Sequence, residues 1–367
     1  MKQFISGKSA QIGKLALLAV MISAHTLFAT TLHVGTCKSG SYSTIQAAIN
    51  AAPVGAIVQV CPGNYPEQVT IIHSVTLQGI TANNGDQAII SAPSGGLVVT
   101  ATDLFGDPVA AQITVVLSGG PVNISNLELD GTGNKVTSGI LNAGIYYRES
   151  PGIINGVTTM NQLGNNLGIG IFLEGGASNP SVTVQNSFVE VFDYAGVDFE
   201  TVGHPNTALT AKITNNYVSP LFLTSGIQFG SGTTATVSGN WVVGPGGSSP
   251  STGLLIGAGA AGSVSSNTVM TVRSGIETHA DGVSVTSNKL SQIYYFGIDL
   301  QTSNGAVSNN LIMNSGIGIV FECNSNPNVR SNTMNFNLTG LAAVPAALST
   351  STNKVFNTPQ VRVGGCN

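Results

Sequence analysis

One short pattern returns along most of this chain: a Gly followed by a branched apolar residue. It stands at Gly144-Ile145, Gly170-Ile171, Gly196-Val197, Gly226-Ile227 and Gly253-Leu254, then at Gly275-Ile276, Gly297-Ile298, Gly318-Ile319 and Gly340-Leu341. The steps run from 26 to 30 residues as far as Gly253 and are 21 or 22 residues afterwards. A second column keeps nearly the same beat: Asn216, Asn240, Asn267, Asn288, Asn310, Asn332 and Asn353. Self-similarity at such a period specifies a repeat architecture. Helical repeats need longer units with 3.6-residue apolar spacing. Here each unit holds two or three short apolar/polar alternations broken by Gly, Asn and Ser, which reads as strands and turns. Strands that recur once per coil and stack on their counterparts make a parallel β-helix, an all-β solenoid. Asn is expected at the corner because it tolerates the left-handed backbone region. Stacked Asn side chains can also hydrogen-bond from coil to coil.

The register fixes which side chains share a face. The residue after each Gly is apolar and is expected to point inward, so the second and fourth residues after Gly point outward on one sheet. The second-place column reads Tyr146, Phe172, Asp198, Gln228, Leu255, Glu277, Asp299, Val320, and the fourth-place column Arg148, Glu174, Glu200, Gly230, Gly257, His279, Gln301, Glu322. Two acidic clusters result. The first holds Arg148, Glu174, Asp198 and Glu200, with Tyr146 and Phe172 alongside as a platform for sugar rings. Carboxylates one rung apart cannot both ionise cheaply, so one pKa should rise, as a general acid requires. Arg148, Glu174 and Glu200 are expected to form a continuous charged ladder. The segments Gly175–Pro180 and Thr201–Leu209, the latter with His204, are long enough to wall a groove. The second cluster holds Glu277, His279, Asp299 and Gln301 on coils of minimal length. It suits either a carboxylate pair or Ca²⁺, which takes oxygen ligands in loose geometry. No other cofactor is indicated.

The N-terminus carries Lys2, Lys8 and Lys14 and then the apolar run 15–24, too short to span a bilayer. Residues 1–29 therefore read as a secretory signal and 30–367 as one β-helix domain, most regular over 144–353. The expected location is extracellular or periplasmic, with no membrane anchor after cleavage, and the expected state is a monomer. Only 8% of the residues are charged, and the net charge of −4 with no basic stripe argues against a nucleic-acid partner. Cys37, Cys61, Cys323 and Cys366 allow three pairings. Cys37–Cys61 and Cys323–Cys366 are favoured because each pair lies at one end of the solenoid, where a stacking neighbour is lacking. Between the first two lies Tyr42-Ser-Thr-Ile-Gln-Ala-Ala-Ile-Asn-Ala-Ala-Pro53, in which Ser43 and Gln46 fit a capping box and Ile45, Ala48 and Ile49 share one helical face. It reads as a short helix closing the N-terminal end of the core.

That segment, with Ile57-Val-Gln-Val-Cys-Pro-Gly-Asn-Tyr-Pro-Glu67 and Val75-Thr-Leu-Gln-Gly79, resembles the cap and first coil of the pectin-lyase-like superfamily. Pectin methylesterases begin this way, as do bacterial β-helix proteins of unassigned activity. The resemblance implies a right-handed solenoid. It implies less about activity, because the cap is not where such proteins keep their chemistry. The motifs of pectin methylesterases, polygalacturonases and pectate lyases are not legible, and Val197-Asp198-Phe199-Glu200 only echoes one of them. The expected function is binding, with degradation or modification, of an extracellular polysaccharide on the exposed sheet, by a hydrolase or lyase if it is an enzyme. The sheet's many acids favour a neutral glycan or calcium-dependent binding over direct capture of a polyuronate. The alternative is a non-catalytic structural or adhesive surface protein.

Overall fold

The computed structural model describes residues 29–81, 86–201, 207–220, 225–246, 251–301, 303–322, 325–344 and 351–363. The expected signal segment falls almost wholly outside them, as do His204, Cys323 and Cys366.

Three long sheets run the length of a right-handed parallel β-helix. The first has twelve strands from Thr31–Val34 to Asn328–Arg330, the second twelve from Gly63–Pro66 to Lys354–Phe356, and the third twelve along its path from Val69–Ile71 to Gln360–Val363, with the short strand Ala101–Thr102 as a thirteenth off that path. Each coil visits them in turn, as in Ser181–Gln185, Phe188–Glu190 and Ala195–Glu200. The coils therefore begin about a hundred residues before the regular repeat can be read. There the loops are uneven, and no Gly column marks the beat. Among the described residues no helix is long and apolar enough to cross a membrane.

The Gly column has a steric cause. Ile145, Ile171, Val197, Ile227, Leu254, Ile276, Ile298 and Ile319 are in register and fully buried inside the solenoid, as their position after Gly requires. The Gly before each also faces the interior, where the second sheet's apolar side chains arrive. A Cβ at Gly275 would lie 2.4 Å from Leu290 Cδ2 and one at Gly170 would lie 2.2 Å from Val189 Cγ1, so no larger residue fits.

The Asn column forms the expected ladder but for one of the two expected reasons. The Asn216 side chain donates to Asn240 Oδ1 at 3.0 Å, Asn240 to Asn267 at 3.0 Å, and the chain of amides continues through Asn288, Asn310 and Asn332 to Asn353. Each also donates inward to a backbone carbonyl, as Asn267 does to Val237 O at 2.9 Å. The left-handed backbone lies one residue earlier, at Asn215, Gly239, Ser266, Ser287, Asn309 and Ser331. The turn thus divides the work: one residue bends the chain, and the next buries an amide that satisfies its neighbours' polar groups.

The N-terminal end is closed by the helix Ile45–Ala51, whose Ile45, Ala48 and Ile49 are buried. Its N-cap is Thr44, not Ser43. Gln46 does not close a capping box. It exchanges hydrogen bonds with the Thr70 backbone at 2.7 and 3.1 Å, while the Glu67 carboxylate caps the helix by accepting from Ile45 N and Gln46 N. Cys37 and Cys61 form a disulfide beside this cap.

Candidate functional site

The outward columns run along the third sheet in the expected register: Tyr146, Phe172, Asp198, Gln228, Leu255, Glu277, Asp299 and Val320 pair successively, and Arg148, Glu174 and Glu200 pair beside them. What covers them changes along the sheet.

Over the first coils, a hairpin folds back across the outer face. The short strand Ala101–Thr102 pairs antiparallel with the start of Pro108–Val116. Gln68 holds its approach through Val98 N and O at 2.9 and 3.0 Å, and the Thr100 and Thr114 hydroxyls meet at 2.6 Å. Beneath it Tyr146 and Phe172 stack with ring centroids 5.2 Å apart in a small apolar cluster with Val109, Ala111, Ala143 and Ile169. Both rings are buried, so the expected exposed platform is not there. Glu174 is buried too. Its Oε1 accepts from Leu104 N at 2.9 Å and its Oε2 meets the Tyr146 hydroxyl, which also reaches Thr102 O at 3.2 Å. Arg148 does not continue a charged ladder. Its Nη1 donates to Thr102 O at 2.6 Å, and its Nε lies 3.6 Å from Glu149.

Burial pushes the Glu174 carboxyl up to about 7, against the pull of its Tyr146 and Leu104 hydrogen bonds and of Arg148. The hydrogen-bond inventory agrees with a protonated acid. Tyr146 has one proton and two oxygens in reach, and the carbonyl can only accept, so both contacts are satisfied when Glu174 carries a proton of its own.

Beyond the hairpin the sheet opens into a cleft of about 700 Å³ that holds Asp198 and Glu200, with Tyr194 and Gln228 on its walls. The reason is legible in the fourth-place column: after Glu200 come Gly230 and Gly257, whose missing side chains leave the floor open. Asp198 accepts from Gln228 Nε2 at 2.8 Å. Burial, and then the charges of Glu200 and Glu174, push Asp198 well above the ordinary carboxylate range, the Gln228 bond pulling the other way. Burial and the Asp103 charge raise Glu200. Asp103 was not among the residues singled out from the sequence. It sits at the hairpin tip, nearly a hundred residues before Glu200, where its Oδ1 accepts from Phe105 N and Asp107 N. Only the turn-like Asp103-Leu-Phe-Gly-Asp107-Pro could have marked it.

The second cluster also forms. Glu277 and Asp299 are register partners, Gln301 Nε2 donates to both at 3.1 Å, and His279 Nε2 lies 3.1 Å from Glu277 Oε1. Asp299 is raised to about 6, chiefly by burial. Among the described residues, no three His, Cys, Asp or Glu side chains converge as a metal ion would need, so this cluster offers calcium an incomplete donor set.

A family model described as a right-handed β-helix region matches residues 195–356. The chain folds as a right-handed parallel β-helix. Among solved structures, this β-helix resembles the catalytic domain of a GH87 α-1,3-glucanase in complex with nigerose at 12% identity and a TM-score of 0.59, covering 91% of this chain and 66% of that one. It resembles the GH136 lacto-N-biosidase from Eubacterium ramulus at 10% identity and a TM-score of 0.55, covering 92% and 68%. It also resembles PfbA, a surface adhesin of Streptococcus pneumoniae, at 14% identity and a TM-score of 0.51, covering 80% and 86%. At such identities the likeness is one of fold. No curated protein sequence matches the chain.

Proposed function

We propose that the protein is an exported glycoside hydrolase that binds an uncharged polysaccharide in the cleft over the third sheet and cleaves it with Asp198 and Glu200. The observation that carries this reading is the pairing of two acids, two residues apart on one strand, both lining an open cleft and both held above their ordinary range. Asp198, the more buried, is the proton donor to the glycosidic oxygen. Glu200 draws a proton from the attacking water. Glu174 is sealed under the hairpin and reaches no substrate; its part is to hold the hairpin through Leu104 N and the Tyr146 hydroxyl. Arg148 is likewise spent on Thr102 and Glu149. Tyr194, 40% exposed at the cleft wall, replaces Tyr146 and Phe172 as the aromatic surface for a sugar. An acidic cleft without a free cation among its lining residues repels polyuronates, which favours a neutral chain. The basic-then-apolar N-terminus and the Cys37–Cys61 disulfide support export.

The likeness to a surface adhesin favours a second reading, in which the cleft binds glycan without cleaving it. Reducing-end release from neutral α- and β-glucans, inulin and arabinogalactan, with polygalacturonate plus calcium as control, separates the two. The hydrolase reading expects release from one neutral polymer and its loss in Asp198→Asn and Glu200→Gln. Retention on a polymer without release by the wild type would favour the adhesive reading.

A further inference from the structure

The outer face of the second sheet carries a feature that neither the fold nor the cleft explains. Phe188, Tyr217 and Trp241 are register partners on three successive coils. Their ring centroids are 6.0 and 6.3 Å apart, and the rings are tilted by 42° and 68° rather than stacked flat. Phe188 and Trp241 are both about half exposed, at 52% and 51%, although Trp241 is the chain's one tryptophan and the interior takes large aromatics readily. Neighbouring coils place Thr158 and Thr268 in the same column, so the solenoid does not require aromatics there. The rings border a groove of about 510 Å³ over the turn, flanked by the amides Asn186 and Asn215 and by Gly239, with no charged residue in its lining. Directly beneath, the Asn216–Asn240 amide ladder fixes the spacing of the coils.

We propose that this stripe is a second, non-catalytic glycan-binding site that takes an uncharged polysaccharide lying along the solenoid axis. Three observations point to that occupant. Aromatic faces in a row, each on its own coil, match sugar rings in an extended chain, and flanking amides match their hydroxyls. The stripe is one side chain wide, ends at Thr158 and Thr268, and is bordered by Glu190 and Ser219, too narrow for the ~800 Å² per partner of a stable protein interface. The uncharged lining beside Glu190 disfavours an anionic chain. The inference takes its ligand class from the glycan reading above but uses none of the cleft's residues. It implies a protein that holds its polymer on one face while the cleft works on another.

Because Trp241 is the only tryptophan, its fluorescence reports on this site alone. The probes are soluble dextran, laminarin, inulin and arabinogalactan, with polygalacturonate as the charged control. A saturable shift in Trp241 emission with at least one neutral glycan is expected, unchanged in Asp198→Asn and weakened about tenfold in Tyr217→Ala. Retention on the matching insoluble polymer should fall by a similar factor in Trp241→Ala, with the thermal midpoint unmoved because the ring faces solvent. No emission change with any neutral glycan, or retention unaltered in Trp241→Ala, would overturn the proposal. So would a dimer in sedimentation that Trp241→Ala dissociates, since that would make the stripe an interface between copies. Loss of the cleft's activity in Asp198→Asn bears only on the hydrolase reading, so the two can fail separately.

Discussion

The third sheet presents the same two outward columns twice, once under the hairpin and once in the open, and the two stretches behave as different materials. Tyr146, Phe172 and Glu174 stand where Asp198, Glu200 and Gln228 stand a coil or two later, yet the first set is a small second core and the second lines a cleft. Strand register assigns a side chain to a face. It does not say what else lies on that face. Here a hairpin contributed from residues 97–107 converts an outer surface into an interior, and none of its residues lines the open site.

The scaffold common to both stretches gives the largest effect. Ile276→Asp buries an unpaired charge in the inward stack between Leu254 and Ile298 and should cost more than about 4 kcal/mol, leaving no cooperative thermal transition. A soluble variant with a wild-type melt would undo the register on which both stretches rest.

In the open stretch, Asp198→Asn and Glu200→Gln should each lower turnover on the responsive glycan by about a hundredfold or more while the melting temperature stays near wild type. Stability loss in step with activity would mean these acids are structural, as in the covered stretch.

The covered stretch should show the reverse. Glu174 is raised from 4.5 to about 7 in the fold, so the unfolded chain releases its proton first as pH rises. Its contribution is present below about 4.5 and is lost as pH climbs through about 7, a change of about 3 kcal/mol. Glu174→Gln keeps an acceptor for Leu104 N and offers Tyr146 a donor, so it should match wild type at pH 4.5 and be more stable at pH 8. Urea titrations at the two pH values read this directly, and a Gln variant that loses stability at pH 8 would show that the acid works ionised. The smallest effect is Tyr146→Phe, about 1 kcal/mol from the lost hydroxyl contacts to Glu174 and Thr102, with activity retained. Tyr194→Phe, its counterpart at the cleft, should leave stability alone and weaken glycan binding.

The same contrast marks how far the sequence could be read. Gly144 through Gly340 announced the coil length, the inward stack and both outward columns, because a feature repeated nine times has to satisfy the same packing each time. The Asn ladder was legible for the same reason, although its left-handed partner was not, since Asn, Ser and Gly share that neighbouring position. Cys37–Cys61 followed from the cap's position at a solenoid end. The hairpin occurs once. With no period to betray it, nothing in Ala101–Pro108 told that it would cover Tyr146 and Phe172, or bring Asp103 toward Glu200. The cleft was half written: Gly230 and Gly257 interrupt the charged column where the floor opens.

The central claim is that the open stretch, not the covered one, meets a glycan. A crystal structure of Asp198→Asn soaked with an oligosaccharide of the polymer that the wild type retains or cleaves tests it most directly. The account predicts sugar density in the cleft, against Glu200 and Tyr194 and above Gly230 and Gly257. An empty cleft with sugar bound only elsewhere on the protein would contradict it.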